Sequence, residues 1–306
     1  MSYQVKIDIS PVYDLLGSFM VYVTKKWIRD IDLGPEWIRE IDNRLSNGVR
    51  MAILEASSWP FDDYDALYAW ASCRTREGSV SDFLDHLESM PETDMWNEIH
   101  PLMPALTLSE AIRIQKSYAP LLKLWYENYF NEIENEILPL IAEDGEEKLR
   151  LLDKMDPAAL IEYASGGLVV PEMPGLNTVI LFPTVHNRPI NTYCFYEGFL
   201  LIQYPVDVHE EGEEDPPNVL LRMTRALSDP ERLRMLRYIG GDEPKSLQDM
   251  SHDLLQPQET LMHHLMMLRV AGLLRIHLGR EDIDRFSLRQ DGASELQLFL
   301  ESYIRI

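Results

Sequence analysis

The side chains best placed to recognise a ligand through hydrogen bonds lie in a leucine-rich stretch near the C-terminus. Leu261, Leu265 and Leu268 recur at the three- and four-residue spacing of a helix with one face turned inward. The 3.6-residue period leaves Glu259, Met262, His263 and Met266 pointing outward, with Gln258 on the flank at the N-terminal tip. Amide, carboxylate and imidazole groups of this kind can hydrogen-bond to the edges of nucleic acid bases.

The segments around this helix would hold it in place. Ser246 begins a short helix with Asp249 in the capping-box position, and a turn at Leu255 and Gln256 leads to Pro257, a favoured first residue of the next helix. Two helices joined by such a turn predict a helix-turn-helix. Residues 273–278 and 284–289 then read as two strands around a wing, and a last helix is expected over about 293–303.

Two further helices precede this pair, over residues 219–227 and 230–239. Ser228 or Asp229 can accept the free amide hydrogens at the start of the second helix, and Pro230 presets its first φ angle. Gly240 and Gly241 end that helix.

Motifs in residues 219–290 resemble the winged helix of the arsenical-resistance-repressor (ArsR) family. The resemblance is carried by Ala226-Leu227-Ser228-Asp229-Pro230-x-Arg232-Leu233-x-x-Leu236, by Ser246-Leu247-x-Asp249-Met250, and by Gln258-x-Thr260-x-x-His263-His264-Leu265-x-x-Leu268-Arg269-x-Ala271-Gly272-Leu273-Leu274. The sequence departs from the family at Leu255, where Gly is frequent, at Gln256, where an apolar residue is usual, and at Pro257, where Ser is common.

The resemblance implies a sequence-specific DNA-binding regulator, a repressor tuned by a signal. It implies a homodimer formed through the outer helices of the module, with recognition helices in successive major grooves of double-stranded operator DNA. We assign DNA contact to Ser246, Gln258, Glu259, Thr260, Met262, His263, Arg269, Arg280 and Arg285. The N-terminal part resembles the sensor-like extension of some regulators of this family. For a repressor, we expect this part to receive a small-molecule or protein effector.

The remainder of the chain predicts a mainly α protein with a small antiparallel β-sheet. Val5, Ile7 and Ile9 alternate as in a half-buried strand, and helical spacing then continues to about Tyr163. Breaks are predicted at Gly34-Pro35, Pro60, Pro91, Pro101/Pro104 and Gly145, and a kink at Pro120. Trp27 and Trp37 suggest two adjoining helices, and core packing is preferred over an effector cavity for both rings. The predicted strands are 168–170, 178–182, 192–196 and 199–204.

An acidic stretch divides the chain into two predicted domains. Residues 207–218 hold six acids and two prolines with little that is apolar, which is typical of a solvated linker between domains 1–206 and 219–306. The net charge of −23 is concentrated before it: residues 1–218 carry 16 Lys and Arg against 38 Asp and Glu, and residues 219–306 carry 12 against 13. A nearly neutral module departs from the basic surface usual in DNA-binding proteins.

Other classes of function find little support in the residues. Cys73 and Cys194 are far apart, and His263 and His264 are neighbours rather than one turn apart, so no metal site or cofactor is expected. No nucleophile elbow, phosphate loop or His-Glu-x-x-His motif is present, and an enzyme is not expected. No apolar run reaches membrane-spanning length and no signal peptide is recognisable, so we expect a cytoplasmic protein without membrane contact.

Two interpretations of the C-terminal module stay open. In the first it binds operator DNA as a repressor. In the second it is a winged-helix protein-protein interaction module without DNA binding, which its near-zero charge permits.

Overall fold

The computed structural model describes residues 3–75, 78–207, 215–241, 243–279 and 284–305. The chain forms two compact units that differ from the predicted domains: Met1–Arg150 with Met173–Val206, and Leu151–Glu172 with Asp207–Ile306. The predicted linker falls largely on residues 208–214, which lie outside the described residues. Residues 151–172 belong to the same unit as the residues after 206, which is called the C-terminal unit below.

The N-terminal unit consists mainly of helices around a four-stranded sheet. Its elements in chain order are β1 (Gln4–Ile7), α1 (Pro11–Thr24), α2 (Gly34–Arg44), α3 (Asn47–Leu54), α4 (Asp63–Cys73), α5 (Val80–Ser89), α6 (Glu92–Ile99), α7 (Leu108–Trp125), α8 (Asn131–Leu152), β3 (Thr178–Thr184), β4 (Thr192–Tyr196) and β5 (Phe199–Pro205). One further strand, β2 (Leu168–Val169), and one helix, α9 (Pro157–Ser165), lie between α8 and β3 in sequence and belong to the other unit.

The sheet of the N-terminal unit is mixed, so the predicted antiparallel sheet was wrong in two respects. In the order β1-β3-β5-β4, the pairs β1–β3 and β3–β5 are parallel, and only the hairpin β4–β5 is antiparallel. The predicted strand at 168–170 is not in this sheet, because β2 pairs with β7 (Leu274–His277) of the C-terminal unit. Alternating burial shows that a segment is a strand but does not fix its direction or its partner.

Several predicted helix boundaries also change. Gly145 is buried inside α8, where a Cβ atom would lie 2.5 Å from Ile9, so the glycine permits close packing and does not end a helix. Pro120 lies within α7, and that helix gives way to a π-helical turn at Tyr126–Phe130. The helix predicted around Trp27 is replaced by turns, while Trp37 lies in α2 and is buried as expected.

The C-terminal unit combines helices with a second four-stranded sheet. After α9 and β2 its elements are α10 (Asn218–Leu227), α11 (Pro230–Ile239), β6 (Lys245–Ser246), α12 (Leu247–Leu254), α13 (Gln258–Val270), β7, β8 (Arg285–Leu288) and α14 (Gly292–Ile304). The sheet order is β2-β7-β8-β6, with β7–β8 and β6–β8 antiparallel and β2–β7 parallel. Asp229, rather than Ser228, caps α11, because its Oδ1 accepts a hydrogen bond from the Glu231 amide at 2.8 Å.

The segment before β3 is joined to this sheet by several contacts. The amides of Ile276 and Leu278 donate to the carbonyl oxygens of Gly167 and Val169 at 2.8 and 2.9 Å. Arg275 and Glu162 form a two-pronged ion pair, with Nη2 donating to Oε2 at 2.9 Å. The edge of β7 is thus covered by β2. Across all the residues that the structure describes, no helix combines the length and apolar character needed to cross a membrane.

Candidate nucleic-acid interface

The orientation of α13 is set by a buried ridge along one face of the helix. Leu261, Leu265 and Leu268 are at most 2 % exposed, as the sequence predicts. His264 lies beside them and is 9 % exposed. Because the three leucines lie one or two turns apart on one face and are inaccessible to water, the helix cannot rotate about its axis without exposing apolar surface.

The opposite edge of α13 faces solvent. The exposed side chains are those of Gln258, Glu259, Thr260, Met262 and His263. They occupy the first two turns, while Met266 is half-buried. The edge offers hydrogen-bond donors and acceptors, together with one apolar residue, Met262, which is 48 % exposed. Such an edge can form several directed hydrogen bonds with a polar surface.

Ser246 is engaged in capping α12. Its Oγ accepts a hydrogen bond from the Asp249 amide at 3.1 Å, and the Asp249 carboxylate accepts one from the Ser246 amide at 3.0 Å. Hydrogen bonds from the Ser246 side chain and backbone hold the pKa of Asp249 below its ordinary value. Ser246 therefore fixes the start of α12, and its side chain is half-exposed.

The structure brings Arg285 to the same cap. Arg285 pairs with Ser246 across β6 and β8, its Nη1 donates to the Pro244 carbonyl at 3.2 Å, and the same nitrogen lies 3.8 Å from Asp249 Oδ2. The Arg285 side chain is 53 % exposed, and its guanidinium keeps donors available to an anion. Arg269 is half-buried in the last turn of α13, away from the exposed first turns, and Arg280 lies outside the described residues.

The turn between α12 and α13 is short, and two side-chain hydrogen bonds hold it. Leu255 takes φ 52° and ψ 40°, the left-handed conformation that favours glycine. The Ser251 hydroxyl donates to the Gln256 carbonyl at 2.8 Å, and Gln256 Nε2 donates to Glu231 Oε2 at 3.0 Å. The departures from the family pattern at Leu255 and Gln256 are thus accommodated, because backbone and side-chain hydrogen bonds hold the turn.

Arg232 is a buried residue whose role the sequence did not disclose. Its Nε donates to the Ala226 carbonyl at 2.6 Å, its Nη2 to the Arg225 carbonyl at 2.9 Å, and its Nη1 lies 3.3 Å from Asp229. The guanidinium satisfies the last carbonyls of α10 and joins that helix to the start of α11. The signal was present in the Asp229-Pro230-x-Arg232 spacing, which places the two charges one helical turn apart.

A second polar cluster lies in the core of the N-terminal unit. Trp37 Nε1 donates to Tyr129 Oη at 2.9 Å, Tyr129 Oη lies 2.8 Å from His186 Nε2, and His186 Nδ1 lies 3.0 Å from Asp14 Oδ2. The amides of Val185 and His186 donate to Asp14 Oδ1 at 3.1 Å.

Protein groups occupy both ends of this hydrogen-bonded series. All four side chains are buried, and burial raises the pKa of Tyr129 well above its ordinary value. An acid, an imidazole and a phenol in contact are able to relay a proton, but here the indole and two backbone amides occupy the ends of the relay. The arrangement therefore ties α1, α2 and the segment after β3 together. Within the described ranges, no group of three or more His, Cys, Asp or Glu side chains is arranged to hold a metal ion.

Comparison with known proteins identifies no relative: no family model, curated protein or solved structure matches this chain.

Proposed function

We propose that this chain is a sequence-specific DNA-binding transcriptional repressor of the ArsR type. In this proposal the C-terminal unit is a winged helix-turn-helix, α13 enters the major groove, and the N-terminal unit receives the effector, a small molecule or a protein. The observation that carries it is the exposed edge of α13, with Gln258 and His263 in its first two turns and the leucine ridge behind it.

The order of elements supports the same proposal. Helices α12 and α13, joined by a short turn and followed by strands β7 and β8, have the order that a helix-turn-helix with a wing requires. Arg285, at the start of β8, is a candidate phosphate ligand beside the start of α12.

A homodimer is proposed through α10 and α14, the outer helices of the module. These helices contact each other. Both expose apolar side chains: Leu221 on α10 is 48 % exposed, and on α14 Leu300 and Ile304, one turn apart, are 44 % and 49 % exposed. Two copies related by a twofold axis would present their α13 helices to half-sites about 34–36 Å apart.

Selection of duplexes from a random pool by the full-length protein tests the proposal. We expect enrichment of a pseudo-palindromic motif, and the affinity for that motif should fall steeply as salt is raised. Gln258→Ala and His263→Ala should each weaken binding to the selected duplex about tenfold. The matched controls Gln290→Ala and His252→Ala alter exposed residues outside α13 and should bind as wild type.

If no motif is enriched even at low salt, sequence-specific DNA binding is excluded and the winged-helix protein-protein interaction module is favoured. The dimer is tested separately by light scattering of the paired change Leu300→Glu with Ile304→Glu. We expect a monomer that no longer binds the selected duplex, whereas Ser302→Glu, an exposed position on the same helix, should stay dimeric. A variant that remains a dimer would place the interface elsewhere.

A further inference from the structure

Leu255 combines two features that the fold alone does not explain. Its side chain is 89 % exposed, so burial of apolar surface gives no reason for a leucine at this position. Its backbone has φ 52°, a conformation that strains residues with a Cβ atom and suits glycine or asparagine. A strained backbone with a fully exposed apolar side chain points to a role outside the folded chain itself.

The surroundings of Leu255 are rigid. The hydrogen bonds of Ser251 and Gln256 hold the backbone on the C-terminal side of the turn, and α12 ends immediately before it. Gln258 lies three positions after Leu255, which keeps their Cα atoms within about 11 Å. The leucine therefore projects from a fixed position next to the exposed edge of α13.

We propose that Leu255 is a specificity-determining residue that packs against the 5-methyl group of a thymine in the major groove. This inference rests on the proposed function of α13. The base edges in that groove offer hydrogen-bond donors and acceptors, and the thymine methyl is the apolar group among them. An aliphatic side chain held beside the polar, exposed edge of α13 is suited to pack against that methyl group. The left-handed backbone conformation of Leu255 directs this side chain outward.

The experiment compares thymine with deoxyuridine, which lacks the methyl group, at each position of the duplex selected by the full-length protein. For the wild type, one symmetry-related pair of substitutions should weaken binding about fivefold through loss of an apolar contact. Leu255→Gly and Leu255→Asn should bind the thymine duplex about fivefold more weakly than wild type and should be indifferent to the substitution at that pair. Leu233→Ala truncates an exposed leucine of the same unit outside α12 and α13, so it serves as the matched control and should retain wild-type affinity and sensitivity at that pair.

A second measurement separates recognition from folding. Both Leu255 variants should unfold at a temperature equal to or above that of the wild type, because glycine and asparagine relieve the left-handed strain. If the wild type selects a motif but the Leu255 variants keep full affinity and full sensitivity to deoxyuridine, the role of Leu255 is refuted while the proposed function stands. If the wild type selects no motif, the proposed function fails, and the thymine contact fails with it.

Discussion

Gly167 lies so close to Leu274 that a Cβ atom at position 167 would come within 2.3 Å of the Leu274 carbonyl oxygen. Gly167 also has φ 129°, which a residue with a side chain rarely adopts. These two constraints fix where β2 meets β7.

Gly167→Ala should therefore destabilise the C-terminal unit by about 2–4 kcal/mol, from backbone strain and the steric clash together. Amide hydrogen exchange at Ile276 and Leu278, whose N–H groups donate to this segment, reports the change directly. Gly241→Ala is the matched control, because among the described residues other than its chain neighbours no atom lies within 4 Å of its Cβ position. Equal protection in the two variants would contradict the close approach.

Replacing Arg232 by methionine should lower the free energy of unfolding by about 2–3 kcal/mol. Methionine fills much of the same volume but leaves the Ala226 and Arg225 carbonyls without their donor. Arg234→Ala, in an exposed ion pair on the same helix, should change it by less than about 0.5 kcal/mol. Urea denaturation of both variants measures the difference, and similar losses would argue against a capping role for Arg232.

Tyr129→Phe tests the closed polar chain of the N-terminal unit. The substitution removes one oxygen and leaves the Trp37 indole and one His186 ring nitrogen buried without a partner. We expect a loss of about 2–4 kcal/mol in the free energy of unfolding. Tyr126→Phe, which removes a half-buried hydroxyl bonded to Glu134, should cost less than about 1 kcal/mol. Intrinsic tryptophan fluorescence during unfolding distinguishes the two outcomes.

His277 should make the stability of the C-terminal unit depend on pH. Burial, followed by the charge of Arg275, lowers the pKa of His277 below its ordinary value of 6.5. The unfolded chain thus binds the proton more tightly, so the stabilising contribution is present above pH 6.5 and is lost as the pH falls through the lower folded value.

Thermal unfolding between pH 7 and pH 5 measures this contribution. The wild type should lose stability over this range, and His277→Gln, which keeps a polar group near the Ser287 hydroxyl, should lose less. If the unfolding temperatures of the two proteins change identically with pH, His277 is not the cause of the pH dependence.

The helices of the C-terminal unit were predictable because their signals are local. The spacing of Leu261, Leu265 and Leu268 determined which edge of α13 is exposed, and the cap at Ser246 and Asp249 was readable from four residues. Contacts within one or two helical turns need no knowledge of the rest of the chain.

The sheets were less predictable because their partners are distant in sequence. β1 pairs with β3, more than 170 residues later, and β2 pairs with β7, more than 100 residues later. The two-residue strand β6 has no periodicity to detect. The parallel pairing of β3 with β5 is hidden because the hairpin strand β4 lies between them in sequence. Arg232 was missed for a different reason: its hydrogen-bond partners are backbone carbonyls, which residue types do not reveal, and only its spacing from Asp229 marked it.

The assignment of residues 151–172 to the C-terminal unit means that the chain passes between the two units three times, near residues 150, 172 and 206. A fragment that starts at residue 219 would lack β2, and the amides of Ile276 and Leu278 would lose their acceptors. An unpaired strand edge of this kind invites pairing with other molecules. Insolubility of such a fragment would therefore reflect a missing strand and would carry no information about the intact protein.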